Sequence, residues 1–362
     1  MINSLEEARK EINRIDKEMA KLFEERMACA EIIANYKKER GLPILDEQRE
    51  AEIIKRNSDY IENEVIREYY INFLKNNMAT SRAYQERLIS GAKVAFSGTE
   101  GAFAHIATKK LFPNAEAKAY GDFKSAYRAV EKGECDLCVL PVENSYNGEV
   151  GQVTDLMFSG SLFVNDMLEL AVDHALIGID GSKIDDIKTV ISHPQALGQC
   201  TEYIRKNGFA TEEFSNTALA ANYIKTLNDK SIGAIASIEA AEMLGLKVLD
   251  KSINEARSNT TRFAVFSRVE ATRSKKDSQT HSILLFTVRN EAGSLAKAID
   301  VIGNHGFNMR TLRSRPMKEL LWEYYFYVEA EGNIKSEKGK EMMAELSESC
   351  DRLKFVGTYT KG

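Results

Sequence analysis

The sequence contains no apolar run approaching the roughly 18 to 20 residues that a membrane span requires, so no membrane partner is expected. Basic charge is not in excess either. Lys+Arg 49 against Asp+Glu 54 leaves a net charge of -5, which argues against nucleic acid as a chain-wide partner. A G-x-G-x-x-G fingerprint is missing, which counts against a nicotinamide-binding dehydrogenase. Internal repeats and low-complexity tracts are missing as well. Cysteines number only five, at Cys29, Cys135, Cys138, Cys200 and Cys350. Only Cys135 and Cys138 have motif spacing, and neither a second pair nor histidines follow at ligand spacing. Neither a metal nor another cofactor is therefore expected, and the thiols read as structural groups in a reducing compartment. The start MINSLEEARKEI has no apolar signal core, so a cytoplasmic protein is expected.

What is present is ordinary for a soluble globular chain: 43% hydrophobic and 28% charged residues over 362 positions. At about 150 residues per domain this allows two or three domains. Residues 1–90 have helix-forming composition, few glycines and a single proline. Residues 92–268 alternate short β-rich runs with glycine- and asparagine-punctuated helical runs, as in layered αβ folds. A polar, charged stretch at about 269–280 reads as a linker. The remainder, 279–362, reads strand, helix, strand, strand, helix, strand between 281 and 357. The expected fold class is multidomain: an all-α helical bundle, an α/β domain, then an α+β module.

In the helical segment Leu5, Ala8, Ile12, Ile15, Met19 and Leu22 recur at steps of three and four, a coiled-coil-like seam. The seam runs into Arg26 before resuming at Cys29, Ile33 and Tyr36. A third helix repeats the pattern with Ile71, Leu74, Met78 and Leu88, yet places polar Ser81 and Gln85 on the same face. Between them Asp46 suits an N-cap, and Asp46 and Glu50 are four apart on one face. Arginines, Lys37 and two carboxylates thus point into one bundle, as a polar cavity for an anionic ligand requires. A first helix of about 35 residues would be about 50 Å long. That is too long for a 90-residue monomer to cover, and a dimer sharing one bundle would bury the seam.

ARKEINRIDKEMAKLFEERM, the Lys37 position and LDEQREAEI resemble the all-α chorismate mutases found at the N-terminus of bifunctional chorismate mutase/prephenate dehydratases. The resemblance implies substrate-binding residues at Arg9, Arg26, Lys37, Asp46, Arg49, Glu50, Ser81 and Gln85, with Lys37, Glu50 and Gln85 closest to the chemistry. Chorismate becomes prephenate by an intramolecular pericyclic shift, so the site needs no nucleophile. It must hold a compact dicarboxylate and stabilise charge on the ether oxygen. The resemblance implies that Arg9 (from a partner subunit), Arg26 and Arg49 clamp carboxylates, with help from Ser81. Lys37 and Gln85 would donate to the ether oxygen, while Asp46 and Glu50 would meet the ring hydroxyl.

Further on, KVAFSGTEG reads as a strand entering a glycine turn, followed by a helix from about Ala102 to Leu111. LPVENSYNGEV, SHPQALGQC and NEARSNTTRFAVF each place polar residues beside a strand or ahead of a helix. Neither Ser145 nor Cys200 comes with the His/Asp set of a hydrolase. Together these phrases resemble prephenate dehydratase, which implies two αβ lobes around a cleft, as in type II periplasmic binding proteins. The resemblance places the catalytic threonine at Thr261 and lines the cleft with Glu143, Asn144, Ser145, His193, Gln195, Asn259, Arg262 and Phe263. Ala102 and Ala104 stand where the family carries hydroxyl residues. Strand alternation would put Thr261 and Phe263 on one face and Arg262 on the other. The implied reaction expels carbon dioxide and water from prephenate, which calls for a donor to the leaving ring hydroxyl and a fixed diacid conformer.

HSILLFTV, LWEYYFYVEAEG and a helix opened by Gly293-Ser294-Leu295 resemble the βαββαβ ACT module, which binds amino acids. The family's two regulatory phrases fall, altered, on Gly293-Ser294-Leu295-Ala296 and Arg313-Ser314-Arg315-Pro316. Phenylalanine is the implied effector, and a helix opened by Gly293 could hold its carboxylate on backbone N–H groups. The leading expectation is a two-activity enzyme that converts chorismate to prephenate and then to phenylpyruvate, as a homodimer or higher oligomer. The alternatives are arogenate as second substrate, or a C-terminal part that senses an amino acid without chemistry.

Overall fold

The computed structural model describes residues 4–255, 258–271, 280–317 and 323–360. The chain folds as two compact units, Met1–Ala92 and Lys93–Gly362. Among the described residues no helix is long and apolar enough to cross a membrane.

The first unit has three helices: α1 (Leu5–Arg40), α2 (Glu47–Ser58) and α3 (Glu64–Ser90). Ser4 caps α1 by accepting from the Glu7 N–H at 3.1 Å, Glu6 and Glu7 suit the positive end, and Gly41 ends the helix at φ 62°. Asp46 caps α2, as its spacing predicts, by accepting from the Arg49 N–H at 2.9 Å. Where α1 meets α3, small Ala30 and Ala34 are buried, as are Leu74, Met78, Ser81 and Gln85. The rest of the α1 seam stays open to solvent: Ile12 is 56% and Leu22 63% exposed.

The second unit contains β1 (Lys93–Ser97), α4 (Phe103–Leu111), β2 (Glu116–Tyr120), α5 (Phe123–Glu131), β3 (Leu137–Asn144), β4 (Gly148–Glu149), α6 (Gly151–Ser159) and β5 (Phe163–Ala171). Then come β6 (Ala175–Gly178), β7 (Thr189–Ser192), α7 (Pro194–Gln199), α8 (Thr201–Asn207), β8 (Ala210–Glu213), α9 (Thr217–Leu227), β9 (Ile232–Ala236), α10 (Ile238–Leu244), β10 (Lys247–Asp250) and β11 (Thr260–Ser267). The last part is β12 (Thr280–Thr287), α11 (Ser294–Asn304), β13 (Asn308–Pro316), β14 (Tyr324–Glu331), α12 (Glu337–Ser349) and β15 (Arg352–Thr360).

These strands form two sheets. The smaller runs β10-β6-β9-β7-β8. The larger runs β13-β14-β12-β15-β5-β11-β3-β1-β2, with β4 added to β3 as a hairpin. The chain therefore crosses between lobes at residues 172–174 and again between β10 and β11, and the Val172 N–H donates to the Asn259 carbonyl at 2.8 Å to tie the two crossings. The C-terminal βαββαβ segment continues the larger sheet, because β15 pairs with β5 at Gly357 and Val164. Gly357 has φ 152°, and a Cβ there would overlap the Val164 carbonyl, so only glycine permits this approach.

Most of the expected linker, residues 272–279, lies outside the described residues. Thr280, read as its end, is instead the start of β12: it is buried and pairs with Thr360, while the strand expected from His281 is present.

Candidate active sites

In the first unit the structure joins some of the predicted residues. Arg26 is half-buried and donates to the Ser81 hydroxyl and, at 3.4 Å, to the Asn77 carbonyl. Burial lowers its pKa, and no carboxylate pairs with it among the described residues. It borders a cavity of about 560 Å³ lined mainly by Met19, Leu22, Phe23, Phe73, Asn76 and Thr80. Gln85 is only 7% exposed, yet its Oε1 has no hydrogen-bond partner. Such an orphaned polar atom costs about 1–3 kcal/mol unless a ligand or water meets it.

Lys37 donates to the Ile44 carbonyl at 2.5 Å, and Glu50 pairs with Arg82. Arg82 escapes the sequence reading because it sits beside Ser81 rather than at helical spacing from it. Arg49 is exposed and reaches Glu52 at 3.4 Å. Arg9 is exposed on α1. It lies 17 residues from Arg26, roughly 25 Å along the helix, so one chain does not bring those two arginines together.

In the second unit a cavity of about 510 Å³ opens between the lobes. Asn144, His193, Gln195 and Thr261 line it, as do Phe103, Asn147, Glu149, His174, Gln199 and the Ser215–Thr217 turn. Asn144, at the end of β3, sits opposite Thr261 in the β11 ladder. Its Oδ1 accepts from the Tyr146 and Asn147 N–H groups at 3.0 and 2.9 Å, so its Nδ2 must donate. That amide meets Thr261 Oγ1 at 3.0 Å and Asn259 Oδ1 at 2.8 Å. Asn259 Nδ2 then donates to Gln199 Oε1 at 2.9 Å, and the same oxygen lies 2.9 Å from His174 Nε2.

The donor–acceptor logic runs to both ends of this chain. Because Gln199 Oε1 can only accept, His174 carries its proton on Nε2. Its Nδ1 is left without a partner on a side chain 2% exposed. Because Thr261 Oγ1 accepts from Asn144, its own proton is available to a ligand. Two helices also begin at the cavity without a side-chain cap: α4 at Ala102 and α6 at Val150. Their first-turn N–H groups can meet an anion. Ala102 is one of the two alanines where the resemblance would have a hydroxyl.

Five expected cleft residues lie elsewhere. Glu143 and Arg262 face away from Thr261 and Asn144, as alternation on β3 and β11 dictates, and contact each other at 3.4 Å. Phe263 is buried and outside the lining. Ser145 donates to the Ser258 carbonyl at 2.8 Å and accepts from the Thr260 N–H at 2.9 Å, a staple between strands. Asn259 stands behind Asn144 as the link to Gln199. His174 and Gln199 were not singled out in the sequence, although a histidine inside the apolar run AVDHALIGI is a detectable signal.

Gly293 caps α11 at φ 87°, and Arg313 to Pro316 close β13. Arg313 pairs with Glu143, while Arg315 lies 3.1 Å from Asp155 and 3.6 Å from Glu149. Cys138 and Cys200 are buried and free, and burial pushes both thiols up, Cys200 to about 12.

Burial lowers the pKa of His105, His174 and His281. Their folded values thus lie below the unfolded value of about 6.5, and the unfolded chain binds more protons as pH falls past that point. Stability is fully present above pH 6.5 and declines below it. The melting temperature of this unit should therefore be lower at pH 5 than at pH 7, with a smaller drop in His174→Gln. A melting temperature independent of pH over that interval would contradict it.

The chorismate mutase type II family model matches residues 8–86, and the prephenate dehydratase model matches 94–271. A bifunctional chorismate mutase/prephenate dehydratase of Aquifex aeolicus is 30% identical over 99% of both chains. Arogenate dehydratase 2 of Petunia hybrida is 34% identical over 78% of this chain and 74% of its own. Among solved structures, the quorum-quenching acylase GqqA is 30% identical with a TM-score of 0.69, over 75% of this chain and 98% of its own. The two units are therefore those of an enzyme with two activities, an isomerase followed by a lyase. The chain belongs to the bifunctional chorismate mutase/prephenate dehydratases. It converts chorismate to prephenate and prephenate to phenylpyruvate.

Proposed function

We propose that Thr261 donates the hydrogen bond that lets the ring hydroxyl of prephenate leave, with Asn144 fixing its orientation. The observation that carries this is the forced direction of the Asn144–Thr261 bond at 3.0 Å. As the bond to the ring carboxylate breaks, its electron pair enters the ring and the C–O bond to the hydroxyl breaks. The hydroxyl departs as hydroxide held by the Thr261 hydrogen bond and takes a proton from solvent to leave as water. A carboxylate about to become neutral carbon dioxide gains nothing from a tight cation, and no lysine or arginine is among the described lining residues. The retained carboxylate suits the uncapped start of α4 or α6. An acyl hydrolase would instead need a base beside its nucleophile, whereas Thr261 Oγ1 meets an amide donor.

In the first unit Arg26, Ser81, Lys37, Glu50 and Gln85 form the half-site of the rearrangement, with Asp46 and Arg49 at its edge. Arg9 comes from a second copy, supported by its distance from Arg26 and by the solvent-facing α1 seam. The assembly is a homodimer or larger, in the cytoplasm. Supplying chorismate and following loss of its absorbance, then alkaline phenylpyruvate absorbance, tests the whole sequence. Prephenate supplied directly should bypass the first step, and arogenate in its place reads the tolerance for an amino group. Failure to form phenylpyruvate from prephenate would reject the assignment.

The C-terminal βαββαβ segment, with its strand order β13-β14-β12-β15, is proposed as an ACT module that binds phenylalanine through Gly293, Ser294, Leu295 and the Arg313–Pro316 phrase. Feedback requires phenylalanine to prefer one conformation, and tenfold preference is about 1.4 kcal/mol. Calorimetry on the full chain should give heat at millimolar phenylalanine, with dehydration inhibited more than rearrangement. Prephenate should weaken that binding by linkage. Absence of both heat and inhibition would leave the segment without an effector.

A further inference from the structure

We propose that Arg313 and Glu329 are positioning residues for the dehydration, holding from behind the sheet the two residues next to the Asn144–Thr261 pair. The proposal rests on Thr261 being the donor to the leaving hydroxyl. In the β3–β11 ladder Thr261 faces Asn144 and Arg262 faces Glu143. Successive strand residues alternate sides. The front pair meets at 3.0 Å in the cavity, and the back pair meets at 3.4 Å beneath it.

The C-terminal segment completes the back pair on both members. Glu329 of β14 accepts from the two terminal nitrogens of Arg262 at 3.1 and 3.0 Å. Arg313 of β13 pairs with Glu143. The result is two guanidinium groups against Glu143 and Glu329, with the half-exposed Glu169 a third carboxylate 3.9 Å from Arg262 and the Glu329 side chain only 4% exposed. Burial disfavours the Glu329 charge, but Arg262 outweighs it and holds the carboxylate ionised. Removing one partner leaves an opposite charge uncompensated in a poorly solvated place, so these ions tolerate little displacement.

A second contact acts on the same hairpin. Arg315, two residues along β13 and hence on the same face, reaches Glu149 at 3.6 Å and Asp155 at 3.1 Å. β13 thus holds the residue preceding Asn144 and the residue at the return of the β3–β4 hairpin. The hairpin tip, whose Asn144, Asn147 and Gly148 line the cavity, is held at both its ends. A shift of β13 relative to β3 would draw Asn144 off Thr261, giving the C-terminal segment a direct mechanical route to the catalytic hydroxyl.

The test uses full-length protein with prephenate. Arg313→Gln and Glu329→Gln should each lower kcat about tenfold while KM stays within about twofold. Arg313→Lys should recover most of the loss. Arg310→Gln, which removes from β13 a surface pair with Glu331 of β14, should leave kcat unchanged. In a Thr261→Val background neither glutamine variant should lower the residual rate further, because residues acting through Thr261 are non-additive with it. Unchanged kcat in folded variants, or equal losses with and without Thr261, would overturn the proposal. Full activity of Thr261→Val alone would instead remove the reading beneath it.

Discussion

Thr261→Val should lower prephenate dehydration by about 10²- to 10³-fold, the cost of deleting one donor aimed at developing charge. Chorismate rearrangement should be unchanged. Valine keeps the β-branch that suits a strand and removes only the hydroxyl. The variant also strips Asn144 of one acceptor, but its Nδ2 retains Asn259 Oδ1 at 2.8 Å and the Thr260 carbonyl at 3.3 Å, so the fold should survive. The loss should fall in kcat, since the hydroxyl acts on a group that leaves rather than on one that anchors. Phenylpyruvate formation at an undiminished rate would exclude the hydroxyl from the chemistry.

Arg26→Ala should remove chorismate mutase activity while prephenate dehydration survives. The half-buried guanidinium bonds only to neutral oxygens of Ser81 and Asn77 among the described residues. A cation held so is waiting for an anion, and losing such a clamp costs about 2–5 kcal/mol in transition-state binding, roughly 30- to several-thousand-fold in rate. Lysine at this position should recover little, because it offers a point charge in place of a planar fork. Circular dichroism guards against a trivial explanation. A folded Arg26→Ala protein with unaltered mutase kinetics would take Arg26 out of the site.

The helices of the first unit were legible because their signals are local. Asp46 marks the start of α2, and seam spacing marks faces. Ser81 and Gln85 stood out as polar residues at core positions, and both are buried. Arg82 did not stand out, since its pairing with Glu50 depends on how α2 lies against α3. In the second unit β11 was legible as a strand; alternation separated Thr261 from Arg262, and the family resemblance said which of the two belongs to the site. Glu143 was misplaced because only the pairing of β3 with β11, 117 residues apart between Asn144 and Thr261, decides which face meets the cavity. His174 and Gln199 belong together only through the inter-lobe crossings, a long-range feature that no short phrase encodes.

The join at Gly357 bears on how this protein can be dissected. With β15 laid along β5, removal of everything after β11 would not release a tail. It would bare the β5 edge, and open strand edges recruit other chains. It would also leave Arg262 and Glu143 facing water without Glu329 and Arg313. A shortened chain of this kind would be sticky and slow, and any loss of the proposed phenylalanine response would be indistinguishable from damage. Point substitutions in the intact chain are the informative way to separate sensing from catalysis.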